Sequence, residues 1–262
     1  MAAKRKFPKP EPGIEFTSGD EKTGETKDMF HPEKRNVYAR TVQDAVNYVS
    51  DLDPHVVSVT DRNGIDIQQM IADGVPIKKI FMINNNVREL QLLKRKLTSL
   101  GHKFSDDQFI TCDAWEMWNN PTIKAVLSCG PVIFNMDLCC AFPRRDHPDG
   151  KYTKYQFCLI ALYAMMKPGS SLVYTGVSKW GRNKTKLRRR FCTSAEEVYY
   201  TFHSTIFDVL GNSQQIWRYT DVITYPAKGP QSPEMVVCGF GKYRLTESRE
   251  KRKVKRRKRN TN

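Results

Sequence analysis

From about residue 36 onward, short apolar runs alternate with stretches in which apolar positions recur at spacings of three and four. The runs HVVSVT (His55 to Thr60), IKKIFMI (Ile77 to Ile83), QFITCDAW (Gln108 to Trp115), PVIFNMD (Pro131 to Asp137) and SSLVYTGV (Ser170 to Val177) read as strands. Helical spacing places Val42, Ala45, Val46 and Val49 on one face of a helix over Thr41 to Ser50. A short helix, IDIQQMIADG, ends at Gly74. A longer one carries Val87, Leu90, Leu93, Leu97 and Leu100, with Asn86 as N-cap and Gly101 past its end. PTIKAVLS and Lys151 to Met166 read as two more helices, the second stopped by Pro168 and Gly169. Ser194 and Glu197 form a capping box that opens a helix over Ala195 to Leu210, closed by Gly211. The rhythm then changes: IWRYTDVITY and EMVVCGFGKY are joined only by PAKGPQSP and predict an antiparallel hairpin.

Five strand-then-helix alternations call for an α/β domain with a mostly parallel sheet covered on both faces. In such sheets ligands bind beyond the carboxyl ends of the strands. Asn135 and Asp137 follow the apolar run Val132 to Phe134 at once, which puts two polar side chains at the tip of the fourth strand, facing that crevice. The domain spans about 36–244. Residues 1–35, rich in Pro, Gly, Lys, Glu and Thr, read as a mobile arm, and 245–262 as a disordered basic tail.

Charge narrows the choice of partner. The chain of 262 residues carries a formal +15, and two segments supply it. Eleven Lys or Arg lie between Lys242 and Arg259 against Glu247 and Glu250; seven lie between Lys179 and Arg190 with no acid among them. The rest is close to neutral. Cations so concentrated point to a polyanion, RNA or DNA before membrane; solubility, or an intracellular address, is the plainer alternative. No apolar run is long enough to span a membrane, and no apolar segment follows the basic MAAKRKFPKP, which argues against secretion. Seven cysteines without a CxxC pair, and five histidines without HxH or HExxH spacing, suit reduced thiols inside a cell, in cytoplasm or nucleus, and no metal site.

In order and shape the chain resembles the class I S-adenosylmethionine-dependent methyltransferases over about Thr41 to Lys242. The resemblance implies a Rossmann-like, mostly parallel seven-stranded sheet whose last strand is inserted antiparallel, and S-adenosylmethionine as cofactor. DRNGID, Asp61 to Asp66, stands where the family wraps the methionine part, which nominates Thr60, Asp61 and Gly64. Asn84, Asn85 and Asn86 stand where the family contacts the ribose, and Asp113 with Ala114 where it reads the adenine. MMKPGSSLVYTG matches the family's Pro-Gly turn before the fifth strand. Two features depart from the pattern. The turn has one glycine instead of two or three, and INNN offers amides where an acid usually grips the ribose hydroxyls. Replacing a charge-assisted bond of ~1.5–3 kcal/mol by a neutral one of ~0.5–1.5 weakens binding roughly tenfold.

For the chemistry, Asp137 is the expected base or orienting group and Asn135 the expected substrate hydrogen bond. The alternative is a turn cap and a local backbone contact. A finer similarity, to ribose 2′-O-methyltransferases, rests on the order Lys34, Asp137, Lys179, Glu234. Cys139 and Cys140 read as buried thiols, since the Pro-Cys pair of cytosine-C5 enzymes is absent. The run SKWGRNKTKLRRRF leaves the fifth strand's carboxyl end, so Lys179, Trp180, Arg182, Lys184, Lys186, Arg188, Arg189 and Arg190 are expected to hold phosphates and stack a base. Methyl transfer to nucleic acid, RNA before DNA, is the first expectation; a non-catalytic nucleic-acid binder that kept the fold is the second.

Overall fold

The computed structural model describes residues 54–141, 154–179, 215–226 and 234–244, together with 197, 200, 201 and 204. Seven strands form one sheet in the order β3-β2-β1-β4-β5-β7-β6. They are β1 (His55–Val59), β2 (Ile80–Asn84), β3 (Phe109–Thr111), β4 (Val132–Ala141), β5 (Ser171–Lys179), β6 (Gln215–Pro226) and β7 (Glu234–Arg244). The first five pair in parallel, with Val57 beside Phe81 on one side and Phe134 on the other. β7 lies antiparallel between β5 and β6. This is the arrangement the resemblance implies, and the mostly parallel α/β reading with a terminal hairpin holds.

Four described helices cover the sheet: α1 (Ile65–Ala72), α2 (Val87–Ser99), α3 (Pro121–Cys129) and α4 (Lys154–Met165). Alternation along each strand gives two separate cores. Val57, Phe134, Met136, Leu172 and Tyr174 pack with Ile123 and Val126 of α3 and Leu159 and Leu162 of α4. Val56, Ile80, Met82 and Ile133 pack on the opposite face with Ile67 and Met70 of α1 and Leu90, Leu93 and Leu97 of α2. Asn86 caps α2 by accepting from the Arg88 N–H at 2.9 Å, as its position predicts. The apolar stripe is narrower than the spacing suggests, because Val87 and Leu100 are exposed.

Several boundaries move. Ile77–Lys79 is a 3₁₀ turn, closed by the Lys79 N–H on the Pro76 carbonyl, so β2 starts only at Ile80. The predicted strand from Gln108 to Trp115 shrinks to three residues between two 3₁₀ segments, Asp106–Gln108 and Ala114–Asn119. Gln108 causes the first change. Its buried amide donates to the Ile77 and Ile80 carbonyls, both at 2.7 Å, and its oxygen accepts from the Ser105 backbone. It is a spacer between two strand starts and no part of a strand. β4, by contrast, runs on to Ala141, with a register shift against β5 between Asp137 and Cys140. Asn135 and Asp137 are thus inside the strand, not at its tip. The predicted helix over Thr41 to Ser50, the arm and the tail lie outside the described residues. Of the helix over Ala195 to Leu210, residues 197, 200, 201 and 204 are described, and all are helical.

Candidate functional site

Polar groups gather at the carboxyl ends of β1 and β2 and alongside them on β4. Thr60 follows β1 and the chain reverses through Asp61 to Gly64. Asp61 shapes that turn: its Oδ1 accepts from the Asn63 N–H at 2.8 Å and the Gly64 N–H at 3.2 Å. Gly64 has φ 52, and a Cβ there would meet Leu93 Cδ1 of α2 at 2.2 Å. The single glycine is therefore fixed twice, by its left-handed backbone and by the helix against it.

Asp61 is 8% exposed, and its Oδ2 is buried with no hydrogen-bond partner among the described residues. Burial raises its pKa; the two backbone bonds work against that, and the charges of Asp137 and Glu89 add to it. An orphaned buried carboxylate oxygen costs on the order of 1–3 kcal/mol. Such a cost is offset when a cation or donor arrives.

Behind Asp61 stands a second carboxylate. Asp66 accepts from Ser58 Oγ at 2.5 Å and from Thr60 Oγ1 at 2.6 Å, and Asn135 Nδ2 donates to the same Ser58 oxygen at 3.0 Å. Parallel pairing sets this up, since Ser58 and Asn135 are register partners on one face of β1 and β4. Burial pushes the Asp66 carboxyl up to about 6; the two hydroxyls pull it down, and Asp137 and Asp61 push it up further. By sequence alone Asp66 reads either as a cofactor contact or as a plain surface charge. The alternation Ser58, Thr60 on a strand whose neighbours are Val56 and Val57 is the signal that could have found it, because buried hydroxyls need acceptors.

The other nominated residues divide. Asn84 ends β2, but Nδ2 donates to the Thr60 carbonyl at 2.7 Å and Oδ1 accepts from the Asn86 N–H at 2.8 Å, so its amide braces two turns. Asn85 is exposed. Asp113 caps the 3₁₀ segment that starts at Ala114, accepting from the Trp115 N–H at 2.9 Å, and its other oxygen accepts from Lys154 Nζ of α4. Lys154 also meets Glu116 at 3.2 Å. Burial works against the Lys154 charge, but the bond and charge of Asp113, then of Glu116, hold its pKa above the usual lysine value. Trp115, set edge-on to Tyr155, and Met117 are buried in the core.

Asp137 is half-buried on β4 beside Thr175 of β5. Lys179 pairs with Glu234 through the backbone at the end of β5. Trp180, Arg182, Lys184, Lys186, Arg188, Arg189, Arg190 and Lys34 lie outside the described residues. Cys158 is buried and Cys112 half-buried, with burial raising the pKa of both thiols, while Cys129 is exposed. No group of His, Cys, Asp or Glu among the described residues could hold a metal ion. No described helix is long and apolar enough to cross a membrane.

No protein-family model matches the chain, and no curated protein matches it in sequence. Among solved structures it is similar to an rRNA methylase from Streptococcus thermophilus, at 14% identity and TM-score 0.44, over 78% of this chain and 98% of that one. It is also similar to the plantazolicin methyltransferase BamL in complex with a desmethyl analogue and SAH, at 13% identity and TM-score 0.45, over 81% and 91%. A third is TYW2 of P. horikoshii in complex with MeSAdo, at 9% identity and TM-score 0.42, over 82% and 64%. Likeness of this degree decides no chemistry; the functional reading rests on the strand order and the side chains.

Proposed function

We propose that the chain transfers the methyl group of S-adenosylmethionine to a nucleic acid, RNA before DNA. The observation that carries the reading is the buried Oδ2 of Asp61, which has no hydrogen-bond partner among the described residues, backed by Asp66 and by Asp137 on β4. That cluster fits a ligand bearing an ammonium and a sulfonium. Thr60, Asp61 and Gly64 would hold its amino-acid part, Asn84 and Asn85 its ribose, and Asp113 with Ala114 its adenine. Each carboxylate oxygen of Asp113 can accept a second bond beside the one it has.

The bound cofactor supplies an electrophilic methyl group, so the chain's task is positioning and proton removal. Asp137 would orient the acceptor or take its proton. Asn135, committed to Ser58, would act one step back by keeping Ser58 aimed at Asp66. Lys179 stands at the end of β5, and with the cations that follow it through Arg190 it would hold the phosphates of the substrate.

One observation favours the second reading, a nucleic-acid binder without catalysis: Asn84 and Asp113 are both already bonded within the protein. Calorimetric titration with S-adenosylmethionine separates the two. Micromolar binding to the native chain, weakened at least tenfold in Asp61→Asn and in Asp113→Ala, supports the enzyme. No heat up to millimolar ligand from a folded protein selects the binder.

A further inference from the structure

The outer face of α2 takes no part in the site at the strand ends. Arg88, Gln91, Arg95 and Ser99 follow one another at spacings of three and four, and all four are exposed. Exposed Lys103 follows the end of the helix, just past the turn at Gly101, and exposed Lys78 stands at the amino end of the neighbouring β2. The stripe contains no carboxylate. Glu89 turns aside to Arg62 at 3.6 Å, and Asp106 is taken by Lys94. Arg88, Arg95, Lys103 and Lys78 have no carboxylate partner among the described residues.

An ordinary solvated helix face would intersperse acids among these cations. Helix polarity does not explain the pattern: cations suit the last turn, where Lys96 lies, but Arg95 precedes that turn and Arg88 sits in the first, where a cation is disfavoured. Thirteen residues carry the stripe about 20 Å along the molecule, from beside Asn86 at the crevice mouth to the opposite end of the sheet. The crevice itself is acidic, with Asp61, Asp66 and Asp137. A phosphate backbone is therefore repelled from the floor of the site and attracted along its flank.

We infer that the outer face of α2, through Arg88, Arg95 and Lys103, is a phosphate track that holds the backbone of a nucleic-acid strand leading away from the crevice. Val87 and Leu100 are the large apolar side chains exposed on this helix and its C-cap, too few for a membrane surface. The inference rests on the nucleic-acid part of the proposed function and is independent of methyl transfer.

The test measures binding of a fluorescein-labelled single-stranded RNA to the full chain by anisotropy across a salt series. Two charge-matched double variants are compared: Arg88→Gln/Arg95→Gln on the stripe, and Lys124→Gln/Lys167→Gln on α3 and after α4, across the sheet. Removing one cation from a phosphate lowers the slope of log K against log salt by about 0.7 for a single strand. The stripe variant should lose about 1.4 in slope and bind several-fold more weakly, while the control keeps the native slope. Equal losses in both variants would reduce the effect to net charge and overturn the track, as would an unchanged slope. A native chain that binds no RNA overturns both this inference and the nucleic-acid reading. Stripe-dependent binding to anionic vesicles but not to RNA would reassign the face to membranes.

Discussion

Asp66 makes the pH behaviour of the fold readable from one side chain. Its carboxyl titrates near 6 when folded and near 3.8 when exposed, so the folded state holds the proton more tightly than the unfolded one. The resulting stabilisation is complete below about 3.8 and is lost as pH rises through 6. Urea melts of the native chain should show stability falling by about 2 kcal/mol between pH 4 and pH 7 from this group. In Asp66→Asn that portion of the profile should flatten. Gly64 supplies a prediction independent of charge. An alanine there adds left-handed strain of about 1–2 kcal/mol to overpacking of about 1–3 kcal/mol against Leu93, which is fully buried. Gly64→Ala should lower stability by about 2–4 kcal/mol. Adding Leu93→Ala should relieve the clash but not the strain, so that a double-mutant cycle on denaturation midpoints shows a favourable coupling.

At the scale of elements, the residues that set periodicity were legible and the residues that set boundaries were not. Leu90, Leu93 and Leu97 announce α2, and its cap at Asn86 is where the side chain says it should be. β2 and β3 begin late because Gln108, a polar residue, is buried to satisfy two carbonyls, and no apolar pattern reports that. β4 outlasts its apolar run because pairing with β5 continues past Asp137 through a register shift. The candidate site was half legible: Asp61 and Asp113 stand just past strand ends and Asp137 on β4, but Asp66, Ser58 and Lys154 entered only when the register and α4 brought them together. Lys242 shows the same limit. It counts as the first cation of the basic segment that runs to Arg259, yet it is 2% exposed in β7, donating to the carbonyls of Tyr163 and Met166 at 2.5 Å and so closing the end of α4. Burial pushes its pKa down to about 8. Since the unfolded chain holds that proton to about 10.5, stability should rise with pH between 8 and 10.5 and be flat in this respect above that range. Lys242→Met should abolish the rise, which is on the order of 2 kcal/mol, in denaturation measured across that range.

Across the described part of the molecule, carboxylates collect just past the carboxyl ends of β1 and β3, at Asp61, Asp66 and Asp113, with Asp137 on β4, and a second group, Asp106 and Asp107, stands with Lys103 ahead of β3. The order of the sheet has a different consequence, one of timing. β5 has β4 on one side, and its other side is filled only by β7, from Lys179 against Glu234 to Ser171 against Gly241. Until residue 244 has left the ribosome, β5 is an open edge of Leu, Val and Tyr, the kind of edge that recruits strands from other chains. The domain cannot close as it is made, so its solubility during synthesis depends on how quickly the last eleven residues of the sheet arrive and find the gap left for them.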